Sequence, residues 1–323
     1  MPDAPRSERH PAVAERLDEL RAEGQLLRAH QFSVAEVRRQ AEAAIDQGGW
    51  LDDPQPVGRV REYHIAVDGG EIPVRLYTPT GSGPFPTLIW LHGGGWVRDT
   101  IDGNDPICRG LVQSGGFAIV SVGYRLAPDY PFPVGLEDCY RAVEWTAEHR
   151  DILLGTGEPI AVGGKSAGGN LTVATVLLAR DRDGPEIAHQ ASLVPVLDRP
   201  RDTESYRENT GGFGPTPEEM EWFWHHYVDR DVDSRHPYAA PLQAKDLSGL
   251  PPATVLTAGH DALRDDGVAY VERLDAADVD VHHLHYPDMP HHVTGTAFYH
   301  EDIGRSREAI SAVADRISIA LGA

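Results

Sequence analysis

The sequence predicts an α/β fold built on a mostly parallel sheet. From residue 87 onward, short apolar runs of strand length alternate with segments of helical period, and such alternation implies right-handed crossovers between parallel strands. The chain has 323 residues, of which 41% are hydrophobic and 24% charged, as in ordinary globular proteins. This length fits one large domain with an accessory part.

Two amphipathic helices are predicted before residue 50. In the first, apolar residues recur at helical spacing, at Val13, Leu17 and Leu20. The second begins with the capping-box pattern Ser33-x-x-Glu36 and ends at Gly48-Gly49. Because both helices have few apolar positions, they must pack on something larger, either as a brace or over a functional site.

A hairpin and a series of strands and helices follow. The hairpin has alternating apolar residues on both sides of the turn Asp68-Gly69-Gly70. Further strands are predicted at 87–91, 117–122, in the apolar run before Gly163, and at 191–196, 253–257 and 279–286. Helices are predicted at 134–149, 171–178, 262–276 and 303–321.

The alternation of strands and helices stops between residues 199 and 245, which predicts an insertion. We expect 1–52 and 199–245 to form a helical cap, and 53–198 and 246–323 to form the core. The aromatic run 222–227 is expected to supply the buried core of the cap, because large rings first contribute buried area.

The charge and composition exclude several classes of partner. A formal charge of −21 disfavours nucleic acid and anionic membranes, which would repel this surface. Of the 29 basic residues only Lys165 and Lys245 are lysines. Adaptation to high salt and a GC-rich genome both explain this composition, and both explanations stay open.

The chain is expected to be cytoplasmic. No apolar run approaches the roughly 18 residues needed to span a bilayer, and the first residues lack the apolar core of a secretory signal. Cys108 and Cys139 each lie in a helical pattern and are expected to be buried free thiols. A homodimer is left open by the sequence.

The stretch 161–170 carries the strongest chemical signal. Gly164-x-Ser166-x-Gly168 follows a short apolar run and precedes a helical pattern. This is the pattern of a nucleophile elbow, where the turn is so sharp that side chains flanking the serine would clash. Ser166 is therefore predicted to be a nucleophile exposed at the end of a strand.

A serine nucleophile needs a base and an acid that orients the base. Asp261 follows the strand 253–257, and His291 follows the strand 279–286. Both are expected at the edge of the sheet that holds Ser166, and the chain order Ser, Asp, His fits an elbow architecture.

Other residues compete for these roles. Asp265 and Asp266 lie deeper in the helix after Asp261, and His292 is an alternative base. Further histidines lie in the last strand, at His282, His283 and His285. No metal site is expected, because no helical His/Glu zinc motif accompanies them.

An oxyanion would need backbone donors. Gly93, Gly94 and Gly95 allow the backbone to approach a substrate closely, and the N–H of Ala167 follows the nucleophile. A flexible turn and a phosphate cradle are the alternatives, but the Gly-Lys-Ser/Thr of a P-loop is missing.

Several stretches resemble carboxylesterases of the bacterial hormone-sensitive lipase family, a group of α/β-hydrolases. They extend across roughly residues 60 to 320. The stretches are HGGGW at 92–96, YRLAPDYPFP at 124–133 with Glu137-Asp138, GKSAGGN at 164–170, GLPP at 249–252, DALRDDG at 261–267 and YPDMPH at 286–291.

The resemblance implies an α/β-hydrolase fold with a mostly parallel eight-stranded sheet, flanking helices and a helical cap. It implies a triad of Ser166, Asp261 and His291, and an oxyanion hole from Gly94, Gly95 and Ala167. The activity it implies is hydrolysis of short- to medium-chain acyl esters through an acyl-enzyme, with a small ester as partner and no cofactor. A non-catalytic small-molecule receptor and an acyltransferase on the same fold are the alternatives.

The chain departs from the family pattern at two places. Lys165 stands where the family usually has Asp, and His292-Val293 replaces Gly-Phe after the histidine. Lys165 is expected to pair with Asp138 or Glu137, or otherwise to perturb the protonated state of His291.

Overall fold

A computed structural model describes residues 7–24, 28–48, 51–153, 159–199, 202–229, 233–295 and 303–323. Its centre is an eight-stranded sheet in the order β1-β2-β4-β3-β5-β6-β7-β8. Strand β2 pairs antiparallel with β1 and β4, and all other neighbours pair in parallel. The predicted α/β-hydrolase sheet is confirmed.

The strands are β1 Arg59–Val67, β2 Gly70–Thr78, β3 Thr87–Leu91, β4 Ala118–Val122, β5 Ile160–Lys165, β6 His189–Leu193, β7 Ala253–His260 and β8 Val281–Pro290. Strand β6 begins two residues before the predicted start at 191 and ends three residues before the predicted end at 196. Strand β8 continues four residues beyond the predicted end at 286, and it therefore leads directly to His291.

The helices are α1 Pro11–Ala22, α2 Val34–Gly48, α3 Asp105–Gly115, α4 Val134–Leu153, α5 Ala167–Asp181, α6 Glu204–Glu208, α7 Pro217–Tyr227, α8 Arg264–Asp275 and α9 Gly304–Leu321. The two N-terminal helices are confirmed, and Gly49 lies outside the described residues. At the start of α2 the Glu36 N–H donates to Ser33 Oγ over 3.3 Å. The Glu36 carboxylate accepts from Arg39 and Gln40, so only one half of the predicted capping box forms.

Helices cover both faces of the sheet. One buried cluster contains α3 and α9 with residues of the sheet, and the other contains α4, α5 and α8 with the aromatic residues of α7. Cys108 and Cys139 are buried free thiols, as predicted. Among the described residues, no helix is long and apolar enough to cross a bilayer.

The N-terminal segment packs on α7. Arg28 Nη1 lies 3.2 Å from Glu219 Oε2, and the Ala29 N–H donates to Glu219 Oε1 over 2.9 Å. Arg38 on α2 donates to the carbonyls of Val97 and Ala127, each over 2.9 Å. These bonds hold α2 against the loops that follow β3 and β4.

Two adjacent acids on α4 predict different effects on stability. The Asp138 carboxylate is fully buried and accepts three hydrogen bonds from Arg125, one from the backbone N–H and two from the guanidinium. Asp138→Ala should lower the free energy of unfolding by about 3 kcal/mol, because it leaves a largely buried guanidinium unpaired.

Glu137→Ala is the matched control, measured by the same urea unfolding. Glu137 pairs with Arg182, and both side chains are about 40% exposed. Its loss should change the unfolding free energy by about 0.5 kcal/mol or less. Equal effects of the two substitutions would contradict the assignment of Asp138 as a structural acid.

A buried histidine predicts a loss of stability in acid. Burial lowers the pKa of His189 from 6.5 to about 4. Nε2 lies 2.9 Å from Thr254 Oγ1, while Nδ1 is buried without a partner. The unfolded chain binds this proton more strongly than the folded protein does. The stability that neutral His189 contributes is therefore complete above pH 6.5 and is lost as the pH falls toward 4.

The difference corresponds to about 3 kcal/mol over this window. His189→Gln cannot take up the proton, and the variant should therefore lose less stability than the parent between pH 6.5 and 4. Melting temperatures across this range provide the measurement. Parallel curves for parent and variant would rule out His189 as the source.

Candidate active site

Ser166 occupies the turn between β5 and α5. Its backbone has φ 57° and ψ −119°, a strained combination for a residue with a side chain. The Ser166 N–H donates to the Leu193 carbonyl over 2.8 Å, and the Asn170 N–H donates to the Ser166 carbonyl over 3.0 Å. These bonds hold the strained turn between β6 and the first turn of α5.

The glycines on either side of Ser166 allow the turn to lie against β3. A Cβ on Gly164 would lie 2.5 Å from the carbonyl oxygens of Gly168 and Leu91. A Cβ on Gly168 would lie 2.0 Å from the Leu91 oxygen. Both distances are too short for any side chain, which explains why the elbow requires glycine at these positions.

Asp261 and His291 form a buried pair. Strand β7 ends at His260 and β8 ends at Pro290, so both residues directly follow parallel neighbours. His291 Nδ1 donates to Asp261 Oδ2 over 2.8 Å, and Asp261 Oδ1 accepts from the Leu263 N–H over 3.0 Å. Because a carboxylate only accepts, Nδ1 carries the proton, and in the neutral ring Nε2 is the acceptor atom.

The competing acids have other partners. Asp265 accepts from the Ser205 N–H over 2.8 Å and pairs with Arg264. Asp266 is buried and accepts from the backbone N–H groups of Leu197 and Asp198, at 3.0 and 3.2 Å. Neither carboxylate has a bond to His291 among those of the described residues, so Asp261 is the acid that the structure brings to this histidine.

The competing histidines make other contacts. Thr257 Oγ1 lies 2.7 Å from His283 Nε2 and 2.8 Å from His285 Nδ1. The His292 ring lies 5.7 Å from the His291 ring. Burial, together with the charges of His291, Lys165, Arg98 and Arg28, lowers the pKa of His292 well below its ordinary value.

Tyr124 holds the loop after β3 in place. His92 stacks on Tyr124 with 4.2 Å between ring centroids, and its Nδ1 donates to the Gly93 carbonyl over 2.8 Å. Tyr124 donates its hydroxyl to the His92 carbonyl over 2.9 Å. Gly94 and Gly95 have φ 98° and 62°, which favour glycine.

A cavity of about 430 Å³ brings most of these groups together. Ser166, His291, Gly94 and Gly95 line it, while Gly93 and Ala167 do not. Ala167 is buried as the first residue of α5, directly after Ser166. Apolar parts of the wall come from α1, α2, α7 and the loop after β6, through Leu20, Ala41, Ala44, Ile45, Val196, Met220 and Phe223.

The aromatic run of α7 divides between cap core and cavity wall. Tyr227 stacks on Trp96 with 4.0 Å between ring centroids, and Trp224 is fully buried. Phe223, Trp224 and Tyr227 are buried, while Trp222 is only partly buried. Phe223 also lines the cavity and lies against Gly95, where a Cβ would be 2.2 Å from the ring.

The expected partner of Lys165 was wrong. Asp138 is taken by Arg125 and Glu137 by Arg182, because the planar guanidinium binds a carboxylate through two donors. Lys165 instead lines the cavity beside Ser166. Burial lowers its pKa; the charge of Asp99 acts in the opposite direction, and that of Arg98 lowers the pKa further.

Sequence reasoning missed Arg98 and Asp99 as cavity residues. Both follow the glycine loop that starts at His92, and Asp99 has φ 80°. Their position after the predicted loop was the available signal. Aspartate is one of the few residues besides glycine that adopt a positive φ, but many aspartates of the chain do not, so Asp99 alone does not predict the turn.

Comparisons with known proteins identify similar sequences and a common family. Residues 88–295 match a protein family of the α/β-hydrolase fold. A carboxylic ester hydrolase of Mycobacterium tuberculosis is 40% identical over 70% of this chain, which spans 62% of the length of that relative. A carboxylesterase of the same organism is 37% identical over 80% of this chain and 83% of its own length.

A solved structure covers nearly the whole chain. The hyperthermophilic esterase of Pyrobaculum calidifontis superposes with a TM-score of 0.90 at 35% identity, over 97% of this chain and 99% of its own. The protein belongs to the α/β-hydrolase family. The resemblance drawn from the sequence motifs is thereby confirmed, and the relatives with these similarities are ester hydrolases.

The two adjacent histidines allow a matched test of the base. His291→Ala should lower kcat on a 4-nitrophenyl ester by about 10³-fold or more, because a positioned general base is removed. His292→Ala should lose far less, since it is His291 whose ring bonds to the Asp261 carboxylate. Steady-state kinetics on both variants provide the measurement, and a larger loss in His292→Ala would reverse the assignment.

Proposed function

We propose that the protein is a serine carboxylesterase that hydrolyses short- to medium-chain acyl esters through an acyl-enzyme. The observation that carries the proposal is the convergence of Ser166, on a strained elbow, and the Asp261–His291 pair on one cavity. The ester-hydrolase relatives support the same chemistry.

The proposed reaction has two halves. Ser166 Oγ attacks the ester carbonyl carbon while His291 Nε2 accepts the hydroxyl proton, and the tetrahedral intermediate then expels the alcohol, which takes that proton. A water molecule next attacks the acyl-enzyme with His291 again as base. The carbonyl re-forms, Ser166 recovers its proton from His291, and the carboxylic acid leaves.

Asp261 orients the imidazole and stabilises its charged form during both halves. Its two oxygens are held by the Leu263 N–H and by His291 Nδ1, so the ring is fixed in one tautomer. The Asp261 carbonyl accepts from Asn209 over 3.1 Å, which ties this loop to α6. The acid is therefore supported from the core and from the inserted segment.

The backbone N–H groups of Gly94, Gly95 and Ala167 are the proposed donors to the oxyanion, with Gly93 completing the loop. Support comes from the position of Gly94 and Gly95 in the cavity wall and of Ala167 next to Ser166. Such donors stabilise the charge that develops on the carbonyl oxygen in the transition state.

The cavity supports the proposed range of acyl lengths. Its volume of about 430 Å³ lies in the lower part of the range for small-molecule sites. The apolar side chains of α1 and α2 line one part of it, which suits an acyl chain. No cofactor is needed for this reaction.

We propose that 1–52 and 199–245 form the cap, and that 53–198 and 246–323 form the catalytic core. The bonds of Arg28 and Ala29 to Glu219 support this division, because they join the N-terminal segment to α7.

The two buried free thiols support a cytoplasmic location. Self-association into a homodimer stays a prediction, which sedimentation velocity tests.

Ser166→Ala should reduce ester turnover by about 10³-fold or more, because no other group supplies the nucleophile. A fluorophosphonate probe should label the folded parent at Ser166 and leave the variant unlabelled, as peptide mapping by mass spectrometry detects. Ser248→Ala is the control, since Ser248 is exposed and its hydroxyl donates to the exposed Asp246 carboxylate.

An unlabelled parent without ester turnover would favour a small-molecule receptor over an enzyme. Turnover by Ser166→Ala at the parent rate would exclude Ser166 as the nucleophile.

A further inference from the structure

Two cationic side chains lie in the wall of the cavity that holds Ser166. Lys165 directly precedes the nucleophile, and Arg98 follows the glycine loop; both side chains are partly buried. The Lys165 chain runs along Gly93, where a Cβ would lie 3.4 Å from both Cγ and Cε. In a chain of net charge −21 with only two lysines, this is an unusual position for one of them.

These two cations have no ion-pair partner among the described residues. Arg28, the third cation of the wall, is different, because it pairs with Glu219 and donates to the carbonyls of Gly212 and Gly214. The Arg98 guanidinium lies over the Phe223 ring, with 5.9 Å between its central carbon and the ring centroid. A guanidinium on an aromatic face keeps its N–H donors for another partner.

Asp99 is the nearest acid to these cations, and it is already engaged. Its Oδ1 accepts from the Thr100 N–H over 2.8 Å, and its Oδ2 accepts from Asn104 Nδ2 over 3.2 Å. Oδ1 also lies against Gly103, where a Cβ would be 2.1 Å away, so the carboxylate is held in place. Lys165 and Arg98 together therefore exceed the charge of Asp99 by one.

The positive charges of this wall affect the pKa values of two neighbouring groups, His292 and Lys165. Burial and the neighbouring His291 lower the pKa of His292, which faces the same cavity, and Lys165, Arg98 and Arg28 lower it further. Burial also lowers the pKa of Lys165, while the charge of Asp99 raises it and that of Arg98 lowers it. Burying a charge without a partner costs free energy, and a bound anion would offset that cost.

We propose that Lys165 and Arg98 bind a carboxylate of the substrate, so that the enzyme prefers esters carrying a second, anionic group. This inference rests on the proposed ester hydrolysis. Because Lys165 directly precedes Ser166, the carboxylate is separated from the reacting carbonyl by a short spacer. The Lys165 ammonium acts as a point charge, and Arg98 supplies a planar pair of donors.

The experiment compares anionic esters with neutral esters of the same shape. For a carboxylate on the acyl half, the pair is 4-nitrophenyl hemiadipate and 4-nitrophenyl 6-methylheptanoate. For a carboxylate on the alcohol half, the pair is acetoxyacetate and isobutyl acetate. The measured quantity is the ratio of kcat/KM for the anionic ester to kcat/KM for its neutral match, after subtraction of spontaneous hydrolysis.

Lys165→Met should lower this ratio by about ten- to a hundredfold on at least one pair, because a charge-assisted contact is lost. Lys165→Arg should retain most of the preference. Lys245→Met is the matched control, since Lys245 is exposed and absent from the cavity wall, and its ratio should equal that of the parent. Both esters are measured on one preparation, so the ratio does not depend on the folded fraction.

Arg98→Gln is the second variant, and it should lower the same ratio. An unchanged ratio in both Lys165→Met and Arg98→Gln on both pairs would overturn the inference, even with full turnover of the neutral esters. A parent that hydrolyses none of the four esters would instead overturn the proposed function. The pair that responds identifies the half of the substrate that carries the carboxylate.

Discussion

The contact between the end of β5 and the end of β3 is the constraint on which the site depends. The Leu91 carbonyl lies so close to Gly164 and Gly168 that neither position has room for a Cβ. This close approach forces the sharp turn at Ser166 and its positive φ. The same contact brings the glycine loop after β3 next to Ser166, so the Ser166 turn and the glycine loop are fixed by one piece of backbone packing.

The parallel sheet explains why distant parts of the sequence meet there. Strands β3, β5, β7 and β8 run in the same direction, and each ends at the same edge. Ligand sites of open α/β sheets form at this edge, because all the loops after the strands emerge there. The inserted helix α7 and the N-terminal helices then close the cavity from above with Phe223, Leu20 and Ile45. The sheet positions the residues of the site, and helices α1, α2 and α7 form part of the cavity wall.

Much of this arrangement could be predicted from the sequence, because local patterns determine it. The hairpin turn, the strand periods and the elbow glycines all act over a few residues. The end of β8 and the partner of Lys165 could not be predicted this way, since both depend on tertiary packing. Arg125 and Arg182 compete for the two acids that were assigned to Lys165, and no local pattern reveals that competition. The return of Asp99 toward the cavity likewise depends on the turn geometry after Trp96.

The cations of the cavity and the acidic surface act over different distances. A surface of net charge −21 repels an anionic substrate, but salt screens that repulsion beyond about 8 Å at physiological ionic strength. A carboxylate inside the cavity meets Lys165 and Arg98 at contact distance, where screening is much weaker. The surface field therefore affects the approach of the substrate, whereas discrimination between anionic and neutral esters takes place next to Ser166. In concentrated salt the repulsion fades while the contact persists, so an acidic surface and a cationic cavity are compatible in one enzyme.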